Sequence, residues 1–555
     1  MVDLTTFLYQ ISHATYGKDV RQAIVDAITG VQSNMNSYST FEDEVIEAYK
    51  LLKNCATILA DMQAEEPTAE TLLHELQDET FDAREILQGV TYLKAFLGLL
   101  PDNVLGLEVD FENKTFTRLC GAYGLNSGSD FDAFPMYGNR KRCNVTDDGV
   151  VTAYYGDTEY TETGYLEQAV TIDNVEYPVG TPVQVMVEQP KFYYFTCPLV
   201  LDSQEGDEGG IGYHMRKVAY YICDEQPIGF TLHPAFHDDD GNEVDKIYIG
   251  AYEGCIWDAD KSSDPETLEP VGDYLLQDEQ VISVLTDKFS SIAGVKPASG
   301  LTQQLTRPNL ETICKNRGDG WHSLDVRIAS MEQLLMIIEF GTMNTQTGSG
   351  SNGVTGITDN SSYNCSSITG STASLGNASG QASSTYSDIN GVRTVETANG
   401  KTAYSFRGDE NPWGNIWKFV YGVNIWGDGT MHGGVPYICT DYDFAESRRT
   451  GNYESAGFSV ANVSSTYVKA LGYSKNFDWL MMPSDVGSPA NSSLPVGDYY
   501  YCTPNLNGYR IALLGGGWYS GVGAGGFVWY LDIGVGLRCR RIGGRLVYVP
   551  QRLSA

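Results

Sequence analysis

The stretch with the most suggestive chemistry is residues 512–539, ALLGGGWYSGVGAGGFVWYLDIGVGLRC, which combines aromatic side chains with many glycines. Glycine interrupts helical and strand periodicity alike, so we expect loops there rather than one regular element. Tyrosine, tryptophan and arginine on such loops supply rigid contact area and hydrogen-bonding groups, as recognition surfaces do. The alternative is that the aromatic residues are core, and we expect burial for Trp518, Phe527 and Trp529.

A second candidate is the acidic segment HPAFHDDDGNEVDK, in which His233 and His237 precede Asp238–Asp240. Carboxylates at this density could hold a hard cation. The EF-hand pattern fails, because Phe236 occupies the place of the first ligand when Gly241 is taken as the loop glycine. Aspartate and glycine are also the residues that hairpin turns require. We therefore interpret the segment as a turn and expect no metal.

Catalytic patterns are weak. Cys439, Cys502 and Cys539 share the C-terminal region with His432, so a thiol–imidazole pair is conceivable, but lone cysteines are more often buried small hydrophobes. The glycine-rich run has no following Lys-Ser/Thr, which disfavours a phosphate cradle. With 71 acidic residues, pairs of carboxylates for glycoside hydrolysis always exist and are uninformative. We expect no enzyme activity and no cofactor.

The elements that must position these residues fall into three predicted domains. Residues 1–104 are predicted to be a helical attachment and coiled-coil region, with a heptad seam from Phe41 to Met62 that suits packing within the subunit or between subunits. Residues 105–300 show the short alternating runs of a β-rich spacer domain. Residues 301–555 begin with a predicted helix and contain a Ser/Gly/Thr/Asn-rich insertion at 341–402, which we expect to be a flexible surface segment. The predicted helix places five apolar residues on one face: Ile328, Met331, Leu334, Leu335 and Ile338.

Composition narrows the classes of partner. The net charge of −35 disfavours binding to nucleic acid or to an anionic membrane over most of the surface. From Tyr501 onward, however, Asp532 is the only acid against six arginines, so this last segment is locally basic. The sequence has no recognisable signal peptide and no apolar run of the ~20 residues that a membrane span needs. Its 11 scattered cysteines predict reduced thiols in a chain folded in a cytoplasm.

Three motifs resemble the C-type-lectin-like domain of phage tail receptor-binding proteins, in the formylglycine-generating-enzyme-like form of the variable proteins of diversity-generating retroelements. They are NPWGNIWKF (411–419), LGGGWYSGVGAGGFVWYLD (514–532) and RRIGGRLVY (540–548). GDGWHSLDVRIASMEQLLMIIEFGTMNTQ (318–346) resembles the helix that opens that domain, and HATYGKDVRQAIVDAI (13–28) resembles the start of tail and baseplate proteins. The resemblance implies a multidomain α+β fold with N-terminal helices or coiled coil, a β-rich middle domain and a C-terminal C-type-lectin-like α+β domain.

The resemblance also implies a function. The chain is expected to be a phage tail or baseplate receptor-binding protein that is part of the virion, folds in the host bacterial cytoplasm and binds a bacterial surface protein or glycan. Its N-terminal region would join other tail or baseplate proteins, and the chain would form a homotrimer without nucleic acid binding or membrane insertion. The alternatives are a tail-associated glycan depolymerase that uses paired carboxylates and a purely structural virion protein.

In such variable proteins, adenine-directed mutagenesis of Asn codons cannot produce Lys, Glu, Gln, Met or Trp. Residues 514–541 contain none of the first four, and their only tryptophans, Trp518 and Trp529, lie at positions that the resemblance implies are fixed. The ligand-binding positions that the resemblance implies are Trp518, Tyr519, Ser520, Val522, Gly523, Val528, Tyr530, Asp532, Gly534, Gly536, Arg538, Cys539 and Arg541.

Overall fold

The computed structural model describes residue 91 and residues 100–227, 229–267, 270–275, 281–300, 303–349, 355–396, 399–430, 433–487 and 498–552. The helices and the heptad seam predicted before residue 91 lie outside these residues. All statements below concern the described part of the chain.

Strands dominate the described residues, in which thirty strands accompany only four α-helices. The predicted α+β class is wrong for the described residues, because strands also make up most of the regular structure after residue 301. Runs rich in tyrosine, valine and isoleucine favour extended backbone over helix, and glycines divide them into short segments. The chain is a mostly β protein built from several sheets.

The β-rich texture predicted for residues 105–300 is confirmed. The strands there are β1 (Leu105–Asp110), β2 (Thr115–Cys120), β3 (Lys141–Thr146), β4 (Val151–Tyr154), β5 (Val170–Ile172), β6 (Val175–Tyr177), β7 (Val183–Pro190), β8 (Tyr193–Glu205), β9 (Ile211–Cys223), β10 (Thr231–Leu232), β11 (Lys246–Gly250), β12 (Cys255–Ser263), β13 (Pro270–Tyr274) and β14 (Lys288–Ser290). A short helix, α1 (Pro135–Gly138), lies between β2 and β3.

Strands also form most of the regular structure after residue 301. They are β15 (Trp321–Ser323), β16 (Gly380–Ala382), β17 (Ser384–Asp388), β18 (Gly391–Val395), β19 (Ala403–Phe406), β20 (Asp409–Glu410), β21 (Trp417–Asp428), β22 (Val435–Cys439), β23 (Tyr453–Ser455), β24 (Ser465–Tyr473), β25 (Pro483–Val486), β26 (Tyr499–Tyr501), β27 (Asn507–Leu514), β28 (Trp529–Ile533), β29 (Ile542–Gly543) and β30 (Leu546–Tyr548). The helices are α2 (Arg307–Lys315), α3 (Val326–Phe340) and α4 (Thr345–Gly348).

Two sheets join strands from both sides of residue 300. The large sheet has 14 strands, of which ten run in the order β10-β8-β9-β24-β26-β28-β27-β21-β22-β23. β24 pairs antiparallel with β9 there, with Leu471 opposite Met215. The six-stranded sheet has the order β15-β30-β11-β7-β3-β4. The strands that follow residue 301 are thus supported by the β-rich region before it, while the predicted domain boundaries stay predictions.

The predicted helix after residue 318 is confirmed as α3, but it is buried on every side rather than along one face. Asp325 caps it by accepting hydrogen bonds from the backbone N–H groups of Arg327 at 2.7 Å and Ile328 at 3.0 Å. Gly341, with φ of 65°, ends the helix in the left-handed conformation. Because α3 packs against β1 and β21, strands from both regions cover it.

The Ser/Gly/Thr/Asn-rich segment is packed against the protein where the structure describes it, so the prediction of a flexible surface segment is wrong for those residues. Thr358, Asn360 and Ser367 are fully buried. The backbone N–H of Ser367 donates to the side-chain oxygen of Asn415 at 2.9 Å, and that of Gly370 donates to the carboxylate of Glu410 at 3.0 Å. Side chains from outside the segment thus accept from backbone groups that a loop otherwise leaves unpaired.

Candidate ligand-binding surface

The positions predicted to contact a ligand divide into three groups by exposure. The exposed residues are Tyr519, Val522, Gly534, Gly536, Arg538 and Arg541. The half-buried residues are Ser520, Tyr530, Asp532 and Cys539. The buried residues are Trp518, Gly523 and Val528.

The three buried positions do not belong to an accessible surface, and their prediction as ligand contacts is corrected here. Trp518 is 2% exposed and packs with Ile357, Tyr386 and Ile416. Val528 is fully buried in a neighbouring apolar cluster. The burial expected for Trp518, and for Phe527 and Trp529 next to it, is confirmed. These side chains stabilise the loops from within.

Tyrosines from separate parts of the chain meet in one cluster. The ring of Tyr530 lies 5.3 Å from that of Tyr501 and 5.4 Å from that of Trp417. Tyr501 lies 4.8 Å from Tyr499, and the indole N–H of Trp417 donates to the hydroxyl of Tyr519 at 2.9 Å. Trp417 is buried beneath, whereas the four tyrosines reach solvent. We call Tyr499, Tyr501, Tyr519, Tyr530, Asp532, Arg538 and Arg541 the aromatic surface.

Charged groups border the tyrosines. The guanidinium of Arg541 lies 4.3 Å from the ring centroid of Tyr519, in a cation–π contact. Asp532 lies 4.0 Å from Arg510, a distance at the limit of an ion pair, so its carboxylate stays available to a ligand. Burial raises the pKa of Tyr519 and Tyr530. Both hydroxyls are therefore neutral at physiological pH and can donate as well as accept hydrogen bonds.

Adjacent strands of the large sheet hold the cluster in place. Tyr501 and Tyr530 are paired residues of the parallel strands β26 and β28. Side chains alternate along a strand, so Tyr499 and Tyr501 share one face while Tyr500 points to the other and is fully buried. Because β27 and β21 follow in the same sheet, Trp417 stands on the same platform. The tyrosines are thus fixed by strand pairing and by burial behind them.

The glycine-rich loop between β27 and β28 is fixed by hydrogen bonds rather than by regular structure. The backbone N–H of Trp518 donates to Asn415 at 2.9 Å, and that of Gly521 donates to Thr358 at 2.7 Å. The side-chain amide of Gln346 donates to the carbonyl groups of Gly521 at 3.0 Å and Ala524 at 2.7 Å. The glycines of this stretch thus permit a compact, immobilised loop that presents Tyr519 and Val522 to solvent.

A buried carboxyl group lies directly under this loop. Asp498 accepts hydrogen bonds from the backbone N–H of Phe527 at 2.9 Å and from the hydroxyl of Thr345 at 3.3 Å. Burial nevertheless raises the pKa of Asp498 to about 8. A Cβ at Gly525 would collide with this carboxyl group, so glycine is needed there for close approach.

We expect the pKa of Asp498 to make stability depend on pH. Its folded pKa of about 8 lies above that of an unfolded aspartate, so the folded state holds the extra proton and stability falls as pH rises from about 4 to about 8. Asp498→Asn removes this slope, and its stability relative to the wild type should improve by about 3–4 kcal/mol between pH 5 and pH 8. Urea unfolding at both pH values measures the difference; parallel pH profiles for the two proteins would contradict the assignment.

The sequence reasoning missed Trp417, Tyr499 and Tyr501. The available signal was the run YYY at 499–501. Side chains alternate along a strand, so these three tyrosines cannot all face the same core. This run alone does not show that the tyrosines lie beside Tyr530. That proximity results from the parallel pairing of β26 with β28, which are about thirty residues apart in sequence.

The other candidates have structural roles. The turn interpretation of the acidic segment is confirmed: Asp238 accepts from the backbone N–H groups of Asp240 at 3.1 Å and Asn242 at 2.7 Å, and Gly241 has φ of 80°. Cys439 and Cys502 are buried, and burial raises the pKa of both thiols. His432 lies outside the described residues.

In the described part of the chain, no helix has both the length and the apolar character needed to cross a bilayer.

No protein-family model matches the sequence. No curated protein matches it either. Among solved structures, the chain is weakly similar to one named "Major Tropism Determinant P3c Variant", with a TM-score of 0.21 and 12% identity over 77% of this chain and 73% of that chain.

Proposed function

We propose that this chain is a receptor-binding protein of a phage tail or baseplate, and that the aromatic surface binds a protein or glycan on the bacterial cell. The single observation that carries the proposal is the set of solvent-accessible tyrosines and arginines held on a hydrogen-bonded platform. The assignment to a phage tail comes from the sequence motifs at 411–419, 514–532 and 540–548. It does not depend on the structural match with a TM-score of 0.21.

The physical properties of the surface support recognition rather than a purely structural role. Tyrosine loses little side-chain entropy on binding, and its ring and hydroxyl contact apolar and polar groups alike. The rings of Tyr501 and Tyr530 are already packed against each other and against Trp417. Preorganisation of this kind reduces the entropic cost of association.

The exposure pattern also supports the idea that this surface tolerates sequence change. Substitutions at exposed sites usually alter stability little, so Tyr519, Val522, Gly534, Gly536 and Arg538 can vary without loss of the fold. Diversification by a retroelement is part of the proposal at these positions. A near-identical template repeat beside a reverse transcriptase gene is the genomic sign to look for, and its absence would leave the binding proposal in place.

We propose a homotrimer as the assembled form, in which three aromatic surfaces act together. Several weak contacts made by one closed assembly give far tighter attachment than a single contact. Light scattering of the full chain should therefore give a trimer mass. A monomer mass would contradict the proposed trimer and its avidity, whereas the proposal that the aromatic surface binds a ligand would stand.

The direct test is binding of the labelled full chain to a panel of intact bacterial strains, in which a host strain should bind it saturably. Arg541→Ala should weaken this binding by about 5–30-fold, because an interfacial arginine stacked on tyrosine is a typical hot spot. The matched control is Arg552→Ala, an exposed arginine outside the aromatic surface, which should bind as the wild type does.

Two results would contradict the proposal. Saturable binding to none of the strains would favour a purely structural virion protein. Release of reducing ends from host polysaccharide by the purified protein would favour the depolymerase.

A further inference from the structure

Three carboxylates meet where β12 and β14 pair. Asp258 and Asp260 belong to β12, and Asp287 immediately precedes β14. One carboxylate oxygen from each residue can be chosen such that all three atoms lie within 4.8 Å of one another. Oxygens that share one Ca²⁺ ion are at most about 5 Å apart, because each Ca–O distance is about 2.3–2.6 Å, so this spacing is compatible with a common ion.

The backbone fixes two of these side chains. Asp287 accepts hydrogen bonds from the backbone N–H groups of Ser283 at 2.8 Å and Ala259 at 3.3 Å. Asp258 accepts one from the backbone N–H of Asp260 at 3.1 Å. The pairing of β12 with β13 shifts register after Asp258, and such a bulge redirects side chains. The carboxylates are therefore held together rather than free to separate.

One oxygen of the cluster lacks any partner among the described residues. Asp258 is 1% exposed, and its Oδ2 atom is buried without a hydrogen bond. Asp287 beside it is 2% exposed. Two buried carboxylates side by side, one with an orphaned oxygen, repel each other unless a proton or a cation neutralises one of them.

The neighbouring lysines do not supply that charge. Lys261 pairs with Asp273 at 3.2 Å, and Lys288 pairs with Asp147 at 2.7 Å. Both ammonium groups are thus committed to acids outside the cluster.

We propose that Asp258, Asp260 and Asp287 form a calcium-binding site that joins β12 to the segment entering β14. A set of oxygen ligands without nitrogen or sulfur suits a hard divalent cation, and water completes the coordination. Asp260 is exposed, so the ion enters from solvent on that side. The three carboxylates come from two segments, so the ion stabilises their pairing.

The test is a thermal unfolding series with the full chain, first treated with chelator and then given Ca²⁺ up to about 10 mM. With a dissociation constant of about 10⁻⁴–10⁻³ M, the wild-type melting temperature should rise by about 1–2 °C, which differential scanning calorimetry resolves. Asp258→Asn should abolish this rise. Its melting temperature without calcium should equal or exceed that of the chelated wild type, because the substitution removes a repulsive buried charge.

Controls separate the site from general charge effects. Glu266→Gln neutralises an exposed acid on the β12–β13 hairpin and should keep the full calcium response. Asp260→Asn changes an exposed side chain, so this variant should fold even if Asp258→Asn does not. It should need at least a tenfold higher calcium concentration for the same rise in melting temperature. No shift in the wild type, or equal shifts in both site variants, would overturn the proposal. An equal shift with Mg²⁺ at the same concentration would overturn the assignment to calcium.

Discussion

Combined replacement of Tyr519, Tyr530 and Arg538 by Ser, Ser and Ala should abolish attachment to host cells. Each residue reaches solvent, and the two tyrosines belong to the ring cluster around Trp417. Each hot-spot residue contributes about 2 kcal/mol or more to binding, so the loss of two or three of them corresponds to at least ~10³-fold weaker binding. The measurement is a binding isotherm on intact cells of the strain that binds the wild type.

The stability of this triple variant decides what a loss of binding means. Exposed and half-buried side chains contribute little to the core, so we expect the free energy of unfolding to fall by less than about 2 kcal/mol. A control with Tyr123→Ser, Tyr213→Ser and Arg552→Ala alters exposed residues elsewhere and should bind normally. Undiminished binding by the first triple variant would place the receptor site elsewhere, and its unfolding would mean that these side chains are core.

Glu253→Ala should destabilise the protein by about 3–5 kcal/mol. Glu253 and Lys418 form an ion pair with a distance of 3.0 Å, and both side chains are almost fully buried. Burial lowers the pKa of Lys418, and the carboxylate of Glu253 opposes that change. Removal of one partner leaves an uncompensated charge in the interior, which is the costly way to break a buried pair. Denaturant unfolding measures the loss.

The effect should extend to the aromatic surface. Glu253 also accepts hydrogen bonds from the side-chain amide of Asn415 and, at 3.4 Å, from the backbone N–H of Ile416. Asn415 in turn accepts from the backbone N–H of Trp518 in the glycine-rich loop. Glu253, a residue of the β-rich region, thus helps to position the glycine-rich loop. The Glu253→Ala variant should therefore also bind cells more weakly.

Two further variants isolate the charge. The double variant Glu253→Gln with Lys418→Met removes both charges and should recover most of the stability. Glu243→Ala breaks an ion pair with Lys191 that is largely accessible to solvent, so it should cost less than about 1 kcal/mol. A loss from Glu253→Ala as small as that from Glu243→Ala would show that the interior pair is not required.

Patterns local in sequence were informative about local structure. The helix α3 and the strands of residues 105–300 follow from apolar periodicity and β-branched runs. The hairpin turn at Asp238–Gly241 follows from turn chemistry, and the burial of Trp518, Phe527 and Trp529 follows from their apolar size. The predictions were wrong where the burial of a residue depends on neighbouring segments rather than on its own type. Thr358 and Asn360 look like loop residues by composition, yet they are buried, and their backbone groups form hydrogen bonds with neighbouring segments of the fold.

By itself, the sequence determined the types of side chain available for recognition and the glycine positions that make a compact loop possible. Only the tertiary structure decided which of the remaining positions reach solvent. It buried Gly523 and Val528, exposed Tyr519 and Arg541, and placed Tyr499, Tyr501 and Trp417 beside the exposed residues. The physical reason is that strand pairing joins segments distant in the chain, as β26 and β28 do, and burial depends on those neighbours rather than on the residue alone.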